Sequence, residues 1–255
     1  MGLVPIDFHT HVSSPEDPGD ESGFKAVVFA ATMTLKAAAT ALERDDDLTI
    51  WGVGCHPAWL RAQKAFDLAT FEQLLQRTAY VSEVGLDGKS RVASDVQWEI
   101  LQQVLSVLRR EPRIVSLHCH NAVGDVLRAL RQTPTRGVML HWWQGTPDET
   151  RLALDLGCFF SMNADSVLRT DLLDIIPISR ILTETDHPAG NEFDGPTRRP
   201  GDVLSVEQAL GKHYGLEAPE IRKQLWRSLN QLVLDTGVAH LLPEGIAARL
   251  ATVER

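Results

Sequence analysis

The chain has 255 residues, of which 44% are apolar and 23% are charged, and its formal net charge is -9 at pH 7. This length and apolar content are sufficient for one sizeable core, and barrels of alternating strands and helices often reach this size as a single domain. The acidic balance argues against an extended duplex-binding surface, which needs clustered Lys and Arg. It does not exclude binding to the end of a nucleic acid, because bound metal ions can neutralise a phosphate locally.

Neither a membrane span nor a signal peptide is predicted. The N-terminal MGLVPIDFHTHV has no basic region followed by an apolar run, and no segment approaches the roughly 20 apolar residues that cross a bilayer. The three cysteines, Cys55, Cys119 and Cys158, are odd in number and scattered, so they form no disulfide framework. This usage is typical of a reducing compartment, and we expect a cytoplasmic protein with no membrane partner.

Eight short runs rich in Val, Ile, Leu and Phe predict strands that are buried on both faces. They span residues 4–9, 25–32, 48–54, 79–85, 113–118, 137–143, 158–163 and 180–185. Helical patterns lie between most of them and after the last: 69–78 with Thr70 as the predicted N-cap, 94–110, 121–132, 146–157, 203–215, 219–235 and 243–255. The order predicts an α/β fold, a (β/α)8 TIM barrel, as one domain over residues 1–255 with extra C-terminal helices.

Two loops stand out because of their composition. Residues 13–23, after the first strand, are too few and too polar for a standard crossover helix, so we expect an abridged first crossover. Residues 187–202, after the eighth strand, are rich in Pro, Gly and charge. Both loops should lie at the C-terminal face of the barrel, where enzymes of this fold keep their chemistry.

Polar side chains occur where the predicted strands end. Asp7, His9 and His11 alternate along the first strand, so all three point to the same side. Later strands place further imidazoles and carboxylates at their C-terminal ends, and these positions converge on one mouth: His56, Glu83, His118, His120, His141 and Asp186. Such groups bind Zn, Mn or Fe, and the carboxylates also suit Mg. The set is too rich for one closed site, so it predicts two divalent ions (Zn, Mg or Mn) bridged by a carboxylate, with Glu83 as the candidate bridge.

Each of these residues, taken alone, also has an ordinary structural explanation. A single histidine such as His141 can be a satisfied core residue, Asp186 can cap a helix, and Glu83 can pair with an Arg. Their joint occurrence at strand C-termini is what favours a metal site. Cys119 lies between two of the histidines, but strand alternation turns it away from them, so we interpret it as a buried apolar residue.

Candidate substrate contacts are less clearly indicated. Trp142 and Trp143 either stack on a base or fill the barrel. Arg198 and Arg199, in the loop after the last strand, either bind phosphate or are solvated, and we favour phosphate because little else basic is predicted near the mouth. Dinucleotide-binding, P-loop and serine-nucleophile motifs are absent from the sequence.

The chain resembles the TatD family of metal-dependent nucleases, within the amidohydrolase-like TIM barrels (the amidohydrolase superfamily). The resemblance covers nearly the whole chain and keeps the order of the motifs. They are DFHTH (7–11), GCHP (54–57), SEVGLD (82–87), LHCH (117–120), HWWQG (141–145), ILTETDHP (181–188) and, more weakly, SLNQLVL (228–234).

This resemblance implies an assignment of the metal ligands. One ion would be held by His9, His11, Glu83 and Asp186, and the other by Glu83, His118 and His141. His56 would lie beside the site and contact the substrate. The implied activity is hydrolysis of phosphodiester bonds at the 3′ end of a nucleic acid, DNA more than RNA, by a deoxyribonuclease acting on ester bonds.

Within the family, the segments HWWQGT, DLGCFFSMNADSVLR and ILTETDHPAG resemble QatD, the TatD-like component of the Qat anti-phage defence system. That likeness implies a role in antiviral defence and other Qat proteins as partners. Three positions depart from the usual family pattern: His120 stands in place of Arg, Ser82 in place of Gly, and PTRRPGD (196–202) is only a weak form of a basic motif. The metal ligands are thus expected to be intact and the phosphate-binding groups altered.

The expected mechanism is metal-assisted hydrolysis, with Asp186 as the general base and Glu83 as the bridging carboxylate. His56 or His120 would stabilise charge on phosphoryl oxygens, and Glu184 and Asp7 could orient ligands. Two alternatives stay open. The same metals could cleave an amide, lactone or phosphomonoester, or the barrel could be a non-catalytic structural subunit of a complex.

Overall fold

The computed structural model describes residues 2–12, 24–191 and 199–253, and all eight predicted strands are present in it. They are β1 (Ile6–Thr10), β2 (Val27–Ala30), β3 (Thr49–Trp51), β4 (Tyr80–Gly85), β5 (Ile114–His118), β6 (Val138–Leu140), β7 (Phe159–Met162) and β8 (Ile181–Thr183). Nearly every strand residue is buried, as expected when helices cover the outer face of a parallel sheet.

The strands form a closed parallel barrel. Two runs, β1-β2-β3 and β4-β5-β6-β7-β8, are paired in parallel throughout. A parallel bridge between Val53 and Val81 joins β3 to β4. At the other seam the Thr183 hydroxyl donates to the Ile6 carbonyl at 2.5 Å, and the Asp186 amide donates to the His9 carbonyl at 2.9 Å. The predicted α/β TIM-barrel fold is confirmed.

Helices follow the strands in the predicted order. They are α1 (Leu35–Ala41), α2 (Leu60–Lys64), α3 (Leu68–Leu75), α4 (Ser94–Arg110), α5 (Val123–Gln132), α6 (Pro147–Asp155), α7 (Thr170–Leu173), α8 (Leu204–Tyr214), α9 (Ala218–Thr236) and α10 (Glu244–Val253). The prediction that Thr70 caps α3 was wrong. Asp67 is the cap, because its carboxylate accepts the Thr70 amide at 2.8 Å, and the helix begins one residue later at Leu68.

The predicted extra C-terminal helices are present as α8, α9 and α10, and they hold the start of β1. The Trp226 indole of α9 donates to the Val4 carbonyl at 2.8 Å. Arg222 pairs with the buried Glu207 of α8 and also donates to the Leu3 carbonyl. The abridged first crossover concerns residues 13–23, which lie outside the described residues, so it stays a prediction. None of the described helices is long and apolar enough to cross a bilayer.

Gly54 lies where three backbones converge next to Glu83. A Cβ at this position would lie 1.9 Å from the Thr32 carbonyl oxygen and 2.3 Å from the Glu83 amide nitrogen. These neighbours are themselves hydrogen-bonded, since the Glu83 amide donates to Thr32 and the Cys55 amide donates to the Glu83 carbonyl. The strand that carries Glu83 can therefore approach β2 and β3 only because residue 54 has no side chain.

We expect Gly54→Ala to destabilise the fold by about 1–3 kcal/mol or more, because backbone must move to admit the methyl group. Gly124→Ala is the matched control. A Cβ at Gly124 meets nothing within 4 Å, and Ala in a helix is favoured over Gly, so this variant should be neutral or slightly stabilised. Urea unfolding of both variants checks the prediction, and equal stabilities would contradict it.

Candidate metal centre

Glu83, near the end of β4, is a buried carboxylate among five imidazoles. Its Oε1 atom contacts His118 Nδ1 and lies 2.9 Å from His141 Nε2. Its Oε2 atom lies 3.2 Å from both His11 Nε2 and His56 Nε2, and 3.8 Å from His9 Nε2. The side chain is only 1% exposed. One carboxylate thus faces two separate groups of ring nitrogens, one with each oxygen.

The next part of the cluster is formed by Asp186 with His9 and His11, which lie on β1 and just after it. Asp186 Oδ1 lies 3.7 Å from His9 Nε2 and 3.9 Å from His11 Nε2. Among the described residues, three groups of side chains have ligand atoms that lie within 4.8 Å of one another. The groups are His9, Glu83 and His141; His9, His11 and Asp186; and His56, Glu83 and His118. The six side chains that the sequence predicts as metal ligands therefore meet at the C-terminal face of the barrel.

These residues fit a divalent cation. The His9 Nε2 atom is buried and has no hydrogen-bond partner among the described residues, and its separations of 3.7 and 3.8 Å from two carboxylate oxygens are too long for hydrogen bonds. A buried ring nitrogen of this kind needs a partner. Imidazole nitrogens and carboxylate oxygens converging on one volume are the donor set that Zn and Mn bind.

The outward ring nitrogens of two histidines are fixed by neighbouring side chains. His118 Nε2 lies 3.0 Å from Asp87 Oδ2, and His9 Nδ1 lies 2.7 Å from Ser116 Oγ. A ring N–H donated outward leaves the lone pair of the other nitrogen facing the centre, as a metal ligand requires. Sequence reasoning missed both partners. Ser116 could have been found, because a Ser two residues before His118 in a buried strand shares its face.

His56 has the opposite arrangement. Its Nδ1 atom accepts the Ala58 amide N–H at 3.1 Å, so this nitrogen carries a lone pair and no proton. Burial lowers the pKa of His56 to about 4, and the ring is neutral at pH 7. The single ring proton is then on Nε2, which faces the centre. Although His56 lies within ligand distance, it is a hydrogen-bond donor toward the centre and no metal ligand.

The cluster shifts the acidity of its own members. Burial by itself raises the pKa of Glu83, but His56, His118 and His141 outweigh it and hold the pKa well below its usual range. Burial by itself lowers the pKa of His118, but Glu83 and Asp87 raise it. The resulting pKa is about 10. Burial raises the pKa of Asp186 to about 6 against the opposing effect of the histidines.

Two further buried carboxylates hold the backbone that carries the ligands. Asp7 accepts the Thr185 amide at 2.8 Å, the Thr185 hydroxyl and the Gly201 amide. Glu184 accepts the Trp142 amide at 2.7 Å and the Ser161 hydroxyl. The predicted orienting roles thus act on backbone rather than on ligand rings. The held segments include Trp142 and Asp186, whose φ angles of 41° and 47° lie in the left-handed region.

A cavity of about 300 Å³ opens over the centre. Trp142 lines it with its indole bonded to Asp165 at 3.1 Å, whereas Trp143 is buried and donates to Thr150, so the first is at the mouth and the second fills the interior. His120 lines the cavity too and is bonded to Asn121. Cys119 is buried at its edge, and burial raises the pKa of its thiol to about 12. No Lys or Arg of the described residues lines this cavity.

The structure does not place Arg199 at this cavity. Arg199 is exposed and lines a different depression, together with Lys25 and Asp202. Arg199 lies two residues before Gly201, whose amide donates to Asp7 at 2.8 Å. Arg198 lies outside the described residues. Phosphate binding by these two arginines stays a prediction, and no described contact supports it.

A closed parallel barrel with imidazoles and carboxylates at the C-terminal ends of its strands is an arrangement of TIM-barrel metal-dependent hydrolases. Within that class, the family model of the TatD-related DNases matches residues 6–233. The chain therefore belongs to the TatD family and is a metal-dependent hydrolase of that type.

Individual relatives agree with this assignment. The chain is 24% identical to the putative deoxyribonuclease TATDN3 of Mus musculus, over 91% of this chain and 89% of the relative. It is 29% identical to the 3′-5′ ssDNA/RNA exonuclease TatD of Edwardsiella piscicida, over 66% of this chain and 70% of the relative. The solved structure of the TatD homologue YJJV of Escherichia coli has the same fold, with a TM-score of 0.81 at 22% identity, covering 91% of this chain and 98% of that one.

We expect Zn²⁺ or Mn²⁺ to raise the melting temperature of the metal-free protein. An ion bound only by the folded state stabilises it by about 2.7 kcal/mol at a concentration 100 times Kd. Glu83→Gln should lose this gain, because both groups of ring nitrogens share that carboxylate. Glu99→Gln, an exposed residue of α4, is the control and should respond like the wild type. A Glu83→Gln variant with the full metal-dependent shift would contradict the assignment.

Proposed function

We propose that this protein is a metal-dependent nuclease that hydrolyses phosphodiester bonds at the 3′ end of single-stranded nucleic acid, DNA more than RNA. The observation that carries the proposal is the buried Glu83 carboxylate shared by five imidazoles, with Asp186 beside it. Two divalent ions, Zn, Mg or Mn, would fit this donor set. The exonuclease name of a relative supports the substrate class.

The ligand assignment follows the two oxygens of Glu83. His9, His11 and Asp186 would hold one ion with Glu83 Oε2, and His118 and His141 would hold the other with Glu83 Oε1. When bound, the ions would polarise a phosphoryl oxygen and lower the pKa of water enough for it to react near neutral pH. The protein contributes a buried donor set in which the outward nitrogens of His118 and His9 are bonded to Asp87 and Ser116.

Asp186 would take the proton from the attacking water. Its Oδ1 atom lies beside the ring nitrogens of His9 and His11, and the residue lines the cavity, so a carboxylate oxygen is within reach of a water molecule there. Its backbone is fixed on both sides, since its amide donates to His9 and its carbonyl accepts from Gly190. This fixation keeps the carboxylate aimed at the centre.

His56 would donate its Nε2 proton to a phosphoryl oxygen. Ring tautomer and neutrality follow from the Ala58 amide and from burial, so the donor needs no reorganisation when negative charge develops. His120 and Trp142 line the same cavity. We propose that they contact the sugar or base of the terminal nucleotide, because an aromatic face accepts any base.

The size of the cavity supports action on a chain end. About 300 Å³ lies at the low end of small-molecule sites, so only the terminal part of a strand would enter. We further propose that residues 1–255 form one hydrolase domain and that the protein works in the cytoplasm, consistent with three free, buried cysteines. A role in anti-phage defence with Qat partners stays a prediction from sequence resemblance.

A second candidate is hydrolysis of a phosphomonoester, amide or lactone by the same centre. It is favoured by one observation, the lack of Lys and Arg among the described residues that line the cavity. The two candidates predict different substrates and share the same ligands. Only an assay on a panel of substrates can therefore distinguish the two candidates, because changes to the metal ligands would affect both alike.

We expect the Mg²⁺-, Mn²⁺- or Zn²⁺-loaded protein to shorten a 5′-labelled single strand one nucleotide at a time. Glu83→Ala and His141→Ala should lose activity by a factor of about 10³ or more while keeping native circular dichroism, because the first removes the bridge and the second a ligand. Product ladders on a gel provide the measurement. Cleavage only of phosphomonoesters, amides or lactones would favour the second candidate, and no turnover with any ion would favour a structural subunit.

His56→Ala should separate metal binding from catalysis. We expect it to retain the metal content of the wild type while kcat falls about 10²- to 10³-fold, the usual cost of losing one charge-stabilising donor. His9→Ala, which removes a ring with its lone pair toward the centre, should lose metal as well. Elemental analysis of dialysed protein together with single-turnover rates checks this. A loss of metal in His56→Ala equal to that in His9→Ala would overturn the tautomer argument.

A further inference from the structure

A strand whose end enters the cavity must leave it over the rim, and no Lys or Arg of the described residues lines the cavity wall. His56 and Asp87 form the part of this wall contributed by the β3–α2 and β4–α4 connections. Both connections follow strand C-termini, so they lie on the catalytic face. The surface just outside them is the place to look for groups that hold the rest of a polyanion.

The β3–α2 connection presents an aromatic ring and two cations. Trp59 and Leu60 are each 49% exposed. The Trp59 amide donates to the His56 carbonyl at 3.2 Å, so the backbone of Trp59 is fixed close to the cavity wall. Arg61 and Lys64, three residues apart on α2, are both exposed and share one side of the helix.

The β4–α4 connection adds two more cations next to this segment. Lys89 and Arg91 are exposed, and Ser90 between them contacts the Pro57 carbonyl at 3.5 Å. The two connections therefore touch directly beside the cavity. We call Trp59, Arg61, Lys64, Lys89 and Arg91 the rim patch.

The cations of the rim patch are not consumed by internal ion pairs. Across residues 2–12, 24–191 and 199–253 no carboxylate pairs with any of the four. The nearest acidic neighbours in sequence are engaged elsewhere. Asp87 accepts from His118 and from the Lys89 amide, Asp95 accepts the Val96 amide, and Asp67 accepts the Thr70 amide and hydroxyl. The four cations outnumber these three carboxylates by one, in a chain of net charge -9.

We propose that the rim patch binds the single-stranded polynucleotide immediately upstream of the end that occupies the cavity, with Trp59 stacking on a base and the four cations following the phosphates. Proteins that hold single strands without sequence preference combine these two elements. Duplex would fit less well, because the bases must be free to meet an indole face. The proposal rests on the proposed nuclease function and adds where the rest of the strand lies.

The test measures binding of a 5′-labelled oligo-dT 20-mer by fluorescence anisotropy in EDTA. Trp59→Ala should weaken binding about fivefold or more, the usual loss for one stacked base. Lys89→Ala/Arg91→Ala should weaken it and should lower the magnitude of the log Kd against log salt slope by about 1.4, since each single-strand phosphate contact contributes about 0.7. Lys223→Ala/Arg227→Ala on α9 removes the same charge from another exposed surface and should change the slope little.

Cleavage supplies an independent readout. The kcat/KM ratio of the 20-mer to the dinucleotide dTpdT should fall at least fivefold in Trp59→Ala and in Lys89→Ala/Arg91→Ala, and should stay at the wild-type value in Lys223→Ala/Arg227→Ala. Equal ratios and equal salt slopes for the rim-patch and α9 variants would overturn the rim patch, as would an affinity for a blunt duplex equal to that for the 20-mer. If the wild type cleaves neither substrate with any divalent ion, the proposed function itself has failed, which is a different result.

Discussion

The structure depends on one buried carboxylate. A charge as deep as Glu83 is tolerated only when positive charge or hydrogen-bond donors surround it, and here the surroundings are almost entirely imidazole. The rings hold the pKa of Glu83 low, and Glu83 in turn raises the pKa of His118 to about 10. In the metal-free centre, a proton on His118 therefore compensates the negative charge of Glu83. Positive charge at this point stabilises Glu83, and a metal ion can take the place of that proton.

Which nitrogen of each ring faces the centre is decided one layer further out. Asp87 and Ser116 accept or share the outward proton of His118 and His9, and a backbone amide at Ala58 donates to His56. The same residue type thus serves as ligand in one place and as proton donor in another. Spacing in the sequence cannot distinguish these roles, because both need a histidine after a strand.

Much of the fold and the core of the centre could be predicted from sequence, because both rest on local periodicity. Buried parallel strands produce apolar runs, and alternation along β1 puts His9 and His11 on one side. The rest depended on loop paths and tertiary contacts. Arg199 follows β8 in the sequence but lines a depression other than the mouth, and Trp142 and Trp143 separate into mouth and interior at the turn where Glu184 accepts the Trp142 amide. No sequence motif marks the cations of the rim patch, so they could not be predicted from the sequence.

An acidic protein that acts on a polyanion must separate its attractive charges in space. Cations placed inside the cavity would compete with the metal ions for Glu83 and Asp186, and they would pay for burial through desolvation. A neutral donor such as His56 lessens this conflict close to the reacting phosphate, because it can stabilise developing charge without placing a full positive charge beside the carboxylates. Lys and Arg are useful only where water can still solvate them, at the rim, and there they contact phosphates that do not react. Among the described residues, a cavity without Lys or Arg next to a basic rim is the arrangement that a metal site built on Glu83 and Asp186 would favour.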